Sequence, residues 1–201
     1  MNYRLRVAQV AETAPLSLSQ IREHLNLGVD ETQFDSYLLA ISLSASAWAE
    51  NYLNRTLLDR TYEMQIDRFF DEIKLPKPPT SDLVSVQYID EQGVAQNIDV
   101  NTGLRFDNFD DASPAVLRPN YDEDWPDTRD TENAVTIQFT GGYTNVELIP
   151  EDVRHALLLL VGDLFENREN YSLAENGSVA DRNVTAAVRN LLFPHRVIPI
   201  A

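Results

Sequence analysis

The chain has 201 residues, no cysteine, and a formal net charge of −16 from 16 basic and 32 acidic residues. Such acidity argues against binding to nucleic acid through its phosphates and against binding to anionic lipid through a basic patch. The lack of cysteine excludes disulfides, Cys-ligated metals and thiol catalysis. No apolar run approaches the roughly 20 residues of a membrane span and the start lacks a signal-peptide core, so the default expectation is a soluble cytoplasmic protein.

Two helices are predicted near the start, after an irregular lead-in over residues 1–15. Ser17 and Gln20 fit a capping box for a short helix that Gly28 can end. A second N-cap signal at residues 30–33 precedes an apolar stripe at helical spacing over five turns, which comprises Phe34, Leu38, Ile41, Ala45, Trp48 and Tyr52. The small residues Ala40, Ser44 and Ala47 form a second face. We expect residues 16–57 to be helical and the long helix to pack on more than one side.

The periodicity changes to two at Leu58, which is typical of half-buried strands. Strands are predicted over residues 58–66, 73–75, 84–88, 94–100, 104–106, 115–117 and 134–140, with residues 90–93 as a hairpin turn. In the last of these strands Val135, Ile137 and Phe139 are predicted to point inward, and two glycines end it. Residues 58–149 are therefore expected to form a mostly antiparallel β unit.

Two further helices are predicted in residues 150–193. Pro150 suits a helix start, and the run 157–161 is apolar nearly all round, which indicates a central or interfacial helix. The last helix is predicted over residues 181–193 and ends at Pro194. The tail 194–201 is apolar except for His195 and Arg196. We expect it to dock on another chain, with folding back onto its own bundle as the alternative.

These elements predict an α+β fold. Helices from both ends of the chain form a bundle, and a mostly antiparallel β unit is inserted between them. The charge is divided in the same way. Residues 58–149 hold 7 basic and 19 acidic residues, a net charge of −12, whereas each end carries −2.

A cluster of acidic residues in the middle of the chain is the one feature that could bind a metal ion or take part in catalysis. Its members are Asp122, Glu123, Asp124, Asp127 and Asp130. Carboxylates could hold Ca²⁺ or act as an acid–base pair, but the spacing does not fit a calcium-binding EF-hand loop, because the glycine and the final glutamate are missing. The favoured interpretation is a solvated loop or a negative patch that faces a partner or a channel. Trp125 inside the cluster is predicted to hold the loop on the β unit, with an interface anchor as the alternative.

Other chemical motifs are absent from the sequence. There is no phosphate-binding loop, no GxSxG and no HExxH, and the three histidines lie far apart. No catalytic residue, cofactor or metal is predicted.

Segments spread over residues 16–197 resemble the head–tail connector (adaptor) proteins of long-tailed phages and phage-like particles, in the branch with a β insert. The resembling stretches are LSLSQIREHLNL, AWAENYLNRTL, TYEMQIDRF, IKLPKPP, SVQYIDEQG, WPDTRDTENAVTIQFTGGY, IPEDVRHALLLLVGDLFENRENY and LLFPHRV. The acid-rich loops depart from that pattern.

The resemblance implies a virion structural protein and not an enzyme. Such connectors form a ring, usually dodecameric, beneath the portal protein in the neck between capsid and tail, after assembly in the host cytoplasm. They extend the DNA channel and present a surface to the stopper or tail-completion protein. The ring interface is predicted at Trp48, Tyr52, Leu157, Leu160 and Leu164. The portal interface is predicted at Arg182, Arg189, Phe193, His195, Arg196, Val197 and Ile198.

Two alternatives remain at this point. The chain could be another neck component, a stopper or a tail-completion protein. It could also be a Ca²⁺-binding or hydrolytic protein that uses the acidic loop. In a connector, the acidic middle segment is expected to repel DNA so that the duplex slides through the channel without specific binding.

Overall fold

The computed structural model describes residues 2–9, 14–28, 30–167 and 183–197. The chain divides into two compact units. One, the β unit, comprises residues 1–12 and 58–144; the other, the helical unit, comprises residues 13–57 and 145–201. Within the described ranges, no helix is long and apolar enough to cross a membrane.

The helical unit is built from helices of both chain ends. They are α1 (Leu18–His24), α2 (Asp35–Leu53), α3 (Glu151–Glu166) and α4 (Asn183–Leu192), with short 3-10 helices at Thr32–Phe34, Val146–Leu148 and Phe193–His195. Helix α3 packs against α1, α2 and α4. This helix is therefore central in its unit, as predicted. A helix that is apolar nearly all round needs several neighbours to cover it.

The predicted capping box at the start of α1 is confirmed. The Ser17 hydroxyl accepts a hydrogen bond from the Gln20 backbone N–H, and the Gln20 side chain accepts one from the Ser17 backbone N–H. The predicted second cap at residues 30–33 is wrong, because no side chain there caps a helix. A 3-10 turn leads into α2 instead, and α2 ends at Asn54 in the left-handed conformation.

Burial along α2 follows a different line from the predicted stripe. The buried side chains are Leu38, Ile41, Ser42, Ala45, Ser46, Ala49 and Leu53. The stripe is right for Leu38, Ile41 and Ala45, and burial then moves to the small residues Ser46 and Ala49, which allow close helix contacts. Trp48 is 36% exposed, so the prediction that it continues the buried stripe is wrong.

The β unit contains two antiparallel sheets. The five-stranded sheet has the order β1-β2-β8-β4-β5, and the three-stranded sheet has the order β3-β7-β6. The strands are β1 (Arg4–Gln9), β2 (Arg60–Ile66), β3 (Ile73–Lys74), β4 (Thr80–Ile89), β5 (Ala95–Ile98), β6 (Leu104–Asp107), β7 (Val116–Pro119) and β8 (Val135–Gly141).

The prediction of an irregular lead-in is wrong for Arg4–Gln9, which forms the edge strand β1. Within it only Leu5 packs on the core of the β unit, so little apolar periodicity marks the strand in the sequence. Arg6 lies opposite Glu63 of β2, and its guanidinium reaches the Glu63 carboxylate at 2.7 Å. Charge on an edge strand also discourages pairing with other chains.

Both sheets contribute to one core. Val135, Ile137 and Phe139 of β8 are fully buried, as predicted. They cluster with Leu117 of β7 and Ile73 of β3 from the smaller sheet. The predicted α+β class, with helices of both ends packed together and an antiparallel β unit between them in sequence, is confirmed.

The segment 58–144 of the β unit begins and ends at one backbone contact, between residues 58–59 and 142–143, which we call the clasp. Leu58 forms an isolated bridge with Tyr143, and the Asp59 N–H donates to the Tyr143 carbonyl at 3.1 Å. Gly142 has φ +109°, and a Cβ there would lie 2.4 Å from the Leu58 carbonyl carbon. The clasp therefore requires glycine at this position.

Candidate functional site

The C-terminal segment from His195 to Val197 is held on its own helical unit. The Val197 N–H donates to the Leu53 carbonyl at the end of α2 at 2.9 Å, and Val197 is buried. Arg55 donates to the His195 carbonyl at 3.4 Å. The described part of the tail thus follows the fold-back alternative. This corrects the assignment of Val197 to a portal surface, since a side chain buried in its own subunit is not available to a partner.

An ion pair fixes the same segment to α3. His195 Nε2 lies 2.7 Å from Asp152 Oδ2. Burial alone raises the pKa of Asp152, but the hydrogen bond and charge of His195 outweigh it, and the net pKa lies below the usual range. The carboxylate also lies in the first turn of α3, where the helix dipole favours negative charge.

A cation and two aromatic rings meet beside this ion pair. The rings of Trp48 and Tyr52 stack with centroids 5.5 Å apart, and the Arg196 guanidinium lies 5.3 Å from the Tyr52 ring centre. The structure therefore brings two predicted ring-interface residues and one predicted portal-interface residue into one cluster. Such a cluster stiffens the end of α2 and orients Arg196.

The remaining predicted portal residues differ in their positions. Arg189 is exposed on α4, and Phe193, just after it, is 67% exposed. An aromatic side chain with this much exposed surface is typical of an interface anchor. Arg182 and Ile198 lie outside the described residues.

The predicted ring residues on α3 form a graded series. Leu157 is fully buried, Leu160 is half-buried and Leu164 is exposed near the end of the helix. Leu157 therefore belongs to the core of its own helical unit, which corrects its assignment to a contact between subunits. Leu164 retains an accessible side chain.

The five acids of the loop are all exposed. Among the described residues, no three His, Asp or Glu side chains are grouped so that they could hold a metal ion. Trp125 stacks on Phe69 with a centroid distance of 4.5 Å and packs against the core of the β unit. It thus anchors the loop, and the acids remain a surface feature.

The predicted second face of α2 is exposed in the isolated subunit, and it includes two leucines that the sequence prediction did not place there. Leu43 is 59% exposed and Leu39 is 41% exposed. Ala40, Ser44 and Ala47, on the same face, are exposed as well. From Ser36 to Asn51 the single charged side chain is Glu50, which accepts a hydrogen bond from the Leu57 N–H. The signal in the sequence was the absence of charge from a long helix of an acidic protein.

Taken together, the fold is an α+β arrangement, and the candidate functional features of its described residues are surfaces. No protein-family model matches the chain, and no curated protein matches it in sequence. Similar solved structures do exist. A chain in the neck of an empty GTA particle, computed with C6 symmetry, is 23% identical with a TM-score of 0.76, over 98% of this chain and 97% of the other.

Two further structures show the same likeness over the same shares of both chains. One is the virion of a native gene transfer agent (GTA) particle, with 23% identity and a TM-score of 0.73. The other is the neck of a native GTA particle computed with C12 symmetry, with 21% identity and a TM-score of 0.70. The chain therefore shares its fold, over almost its whole length, with a chain of a phage-like particle's neck.

Proposed function

We propose that this protein is a head–tail connector subunit in the neck of a phage-like particle. It assembles as a dodecameric ring beneath the portal protein, extends the DNA channel and offers its other side to a stopper or tail-completion protein. The observation that carries the proposal is the likeness to a neck chain over 98% of the sequence, with both units present. The protein acts by assembly and not by catalysis.

The C-terminal segment is the proposed portal contact. Its described part, residues 183–197, contains Arg189, His195 and Arg196 and no acidic residue, in a chain of net charge −16. The exposed Phe193 supplies an apolar anchor that lies close in sequence to Arg189 and Arg196. A partner with an acidic, apolar surface fits this chemistry, because charge steers the encounter and the buried aromatic ring stabilises the complex.

The acidic β unit fits the passage of DNA. Most of its sequence comes from the middle segment of net charge −12, and the five loop acids are exposed to solvent. A negatively charged wall repels phosphates, so the duplex passes without pausing. This part of the proposal fails if the acids of an assembled ring face outward and arginines line its channel.

Binding to purified portal rings from the same particle tests the proposal. We expect the double substitution of Arg189→Ala and Phe193→Ala to weaken binding at least tenfold. The matched control Arg4→Ala removes an exposed arginine of the β unit and is expected to change binding less than twofold. Equal effects of the two variants would refute the portal assignment, and a wild-type chain that never binds portal would refute the connector function.

The same experiment separates the connector from the other neck components. A stopper or tail-completion protein is expected to bind a preformed connector ring and not the bare portal. A chain that ignores portal but binds the adjoining neck protein of its own particle would favour this alternative.

A further inference from the structure

The outer face of α2 consists of Leu39, Ala40, Leu43, Ser44, Ala47 and Trp48, and no charged residue belongs to it. All six are exposed in the isolated subunit. From residue 36 to residue 51 a helix rises about 22 Å, so the face is long enough for a helix-to-helix contact. The buried face of α2, on the opposite side, already packs within the helical unit.

We infer that this outer face is the contact between neighbouring copies of the chain. The inference rests on the proposed ring and names the surface through which the ring forms. It replaces the predicted ring contact at Leu157, which is buried in its own subunit, and retains Trp48.

The charge of the chain favours a second copy as the partner that binds the outer face of α2. Every copy carries a net charge of −16, so two copies repel each other wherever their acidic surfaces meet. A helix face without ionisable groups is where identical chains approach at the lowest electrostatic cost. A basic partner, by contrast, would be drawn to the acidic surfaces of this chain and would gain nothing from an uncharged helix.

Shape supports the same occupant. Leu39 and Leu43 stand one turn apart and form a ridge, while Ala40, Ser44 and Ala47 leave a shallow groove beside it. Ridges that fit into grooves are the usual way in which two helices pack, and small residues bring the helix axes close together. An interface core of this composition, apolar and depleted of charge, is typical of contacts between subunits.

Crosslinking tests the inference in a chain that has no native cysteine. A cysteine at position 43, Leu43→Cys, is labelled with a benzophenone maleimide and irradiated under conditions in which sedimentation shows the wild-type chain associating, alone or with portal rings. We expect a product of twice the subunit mass. The control Val94→Cys places the same label at a side chain of similar exposure, 54%, in the β unit, and is expected to give at least fivefold less product.

Charge insertion gives an independent readout. Leu43→Glu is expected to weaken self-association at least tenfold, whereas Val94→Glu changes it less than twofold, and neither exposed substitution alters the circular dichroism spectrum. Association without a dimer product at position 43, or a label that reacts only within its own chain or with another protein, overturns the inference and leaves the connector function standing. A chain that never associates, with or without portal, overturns both.

Discussion

At the scale of single residues, a few positions hold parts of the chain together that are distant in sequence. Gly142 lies where the chain leaves the β unit and touches the Leu58 backbone. Glu63 is buried and depends on Arg6 from an edge strand. Sequence inspection found Gly142 as a strand end, because glycine pairs are strong turn signals. It could not find the Arg6–Glu63 pair, because the pairing depends on a strand register between residues 57 positions apart.

Replacing Gly142 tests the clasp of the β unit. We expect Gly142→Ala to lower the free energy of unfolding by about 3 kcal/mol or more, because the new Cβ is strained at positive φ and collides with backbone atoms. Gly28→Ala is the control, since its nearest contact would be 3.6 Å away, and it is expected to change stability by less than about 0.5 kcal/mol. Equal denaturation midpoints of the two variants would contradict the clasp.

The Arg6–Glu63 pair predicts a pH-dependent stability. The hydrogen bond from Arg6 lowers the pKa of Glu63 despite the opposing effect of burial. A carboxyl group with a lowered pKa stabilises the folded state above its unfolded pKa and loses that contribution as the pH falls through the folded value. Arg6→Gln is therefore expected to lower the thermal midpoint at pH 7, and its difference from wild type is expected to shrink below about pH 4.

The control for this variant lies on the same strand. Arg4 pairs with Glu132 at 3.4 Å, and both side chains are mostly exposed. Arg4→Gln is expected to have little effect at any pH, because exposed ion pairs contribute little. If the difference in thermal midpoint between Arg6→Gln and wild type stayed constant with pH, the ionisation of Glu63 would not be coupled to its pair with Arg6, and the prediction would be wrong.

At the scale of elements, the periodicities predicted most helices and strands, since a buried face imposes its period on the sequence. The strand β1 escaped because only Leu5 of it packs on the core of the β unit. The buried face of α2 was predicted only in part, because neighbouring helices and not the strongest apolar stripe decide which face is covered. An apolar tail with two cations has the same pattern whether it docks on its own bundle or on another chain.

The attachment of the C-terminal segment gives a prediction at this scale. Asp152→Asn removes the negative partner of His195, so the segment is expected to detach more often. Hydrogen exchange at the Val197 amide, which donates to Leu53, is expected to become roughly two- to fivefold faster at neutral pH, as suits a partly exposed ion pair. Glu151→Gln in the same helical turn should leave that exchange unchanged, and equal rates in both variants would contradict the role of the ion pair.

The same ion pair predicts an effect of acid on the wild-type protein. Because the pKa of Asp152 is lowered in the folded state, its contribution persists above the unfolded pKa and is lost as the pH falls through the folded value. Acidification is therefore expected to lower the protection factor of the Val197 amide, which corrects its exchange rate for the pH dependence of intrinsic exchange, in the wild-type chain. The protection factor in the Asp152→Asn variant is expected to stay nearly constant. A parallel response of both chains would place the acid-sensitive group elsewhere.

At the scale of the whole molecule, the charge division assigns different tasks to different parts. The nearly neutral ends of the chain form the helical unit, apart from residues 1–12, which belong to the β unit. The middle segment carries −12 and forms most of the β unit. In the proposed ring, assembly through the uncharged α2 face and docking through the basic C-terminal segment would leave the acids free to face DNA. The sequence alone indicated this division, but it could not tell which apolar side chains remain exposed.

A cryo-electron microscopy reconstruction of the intact particle neck, with this chain traced in it, tests the connector function most directly. We predict a ring of 12 copies in contact with the portal protein and coaxial with the DNA channel, with the α2 faces at the contacts between copies. A neck that lacks this chain, or that places it away from the portal, would contradict the account.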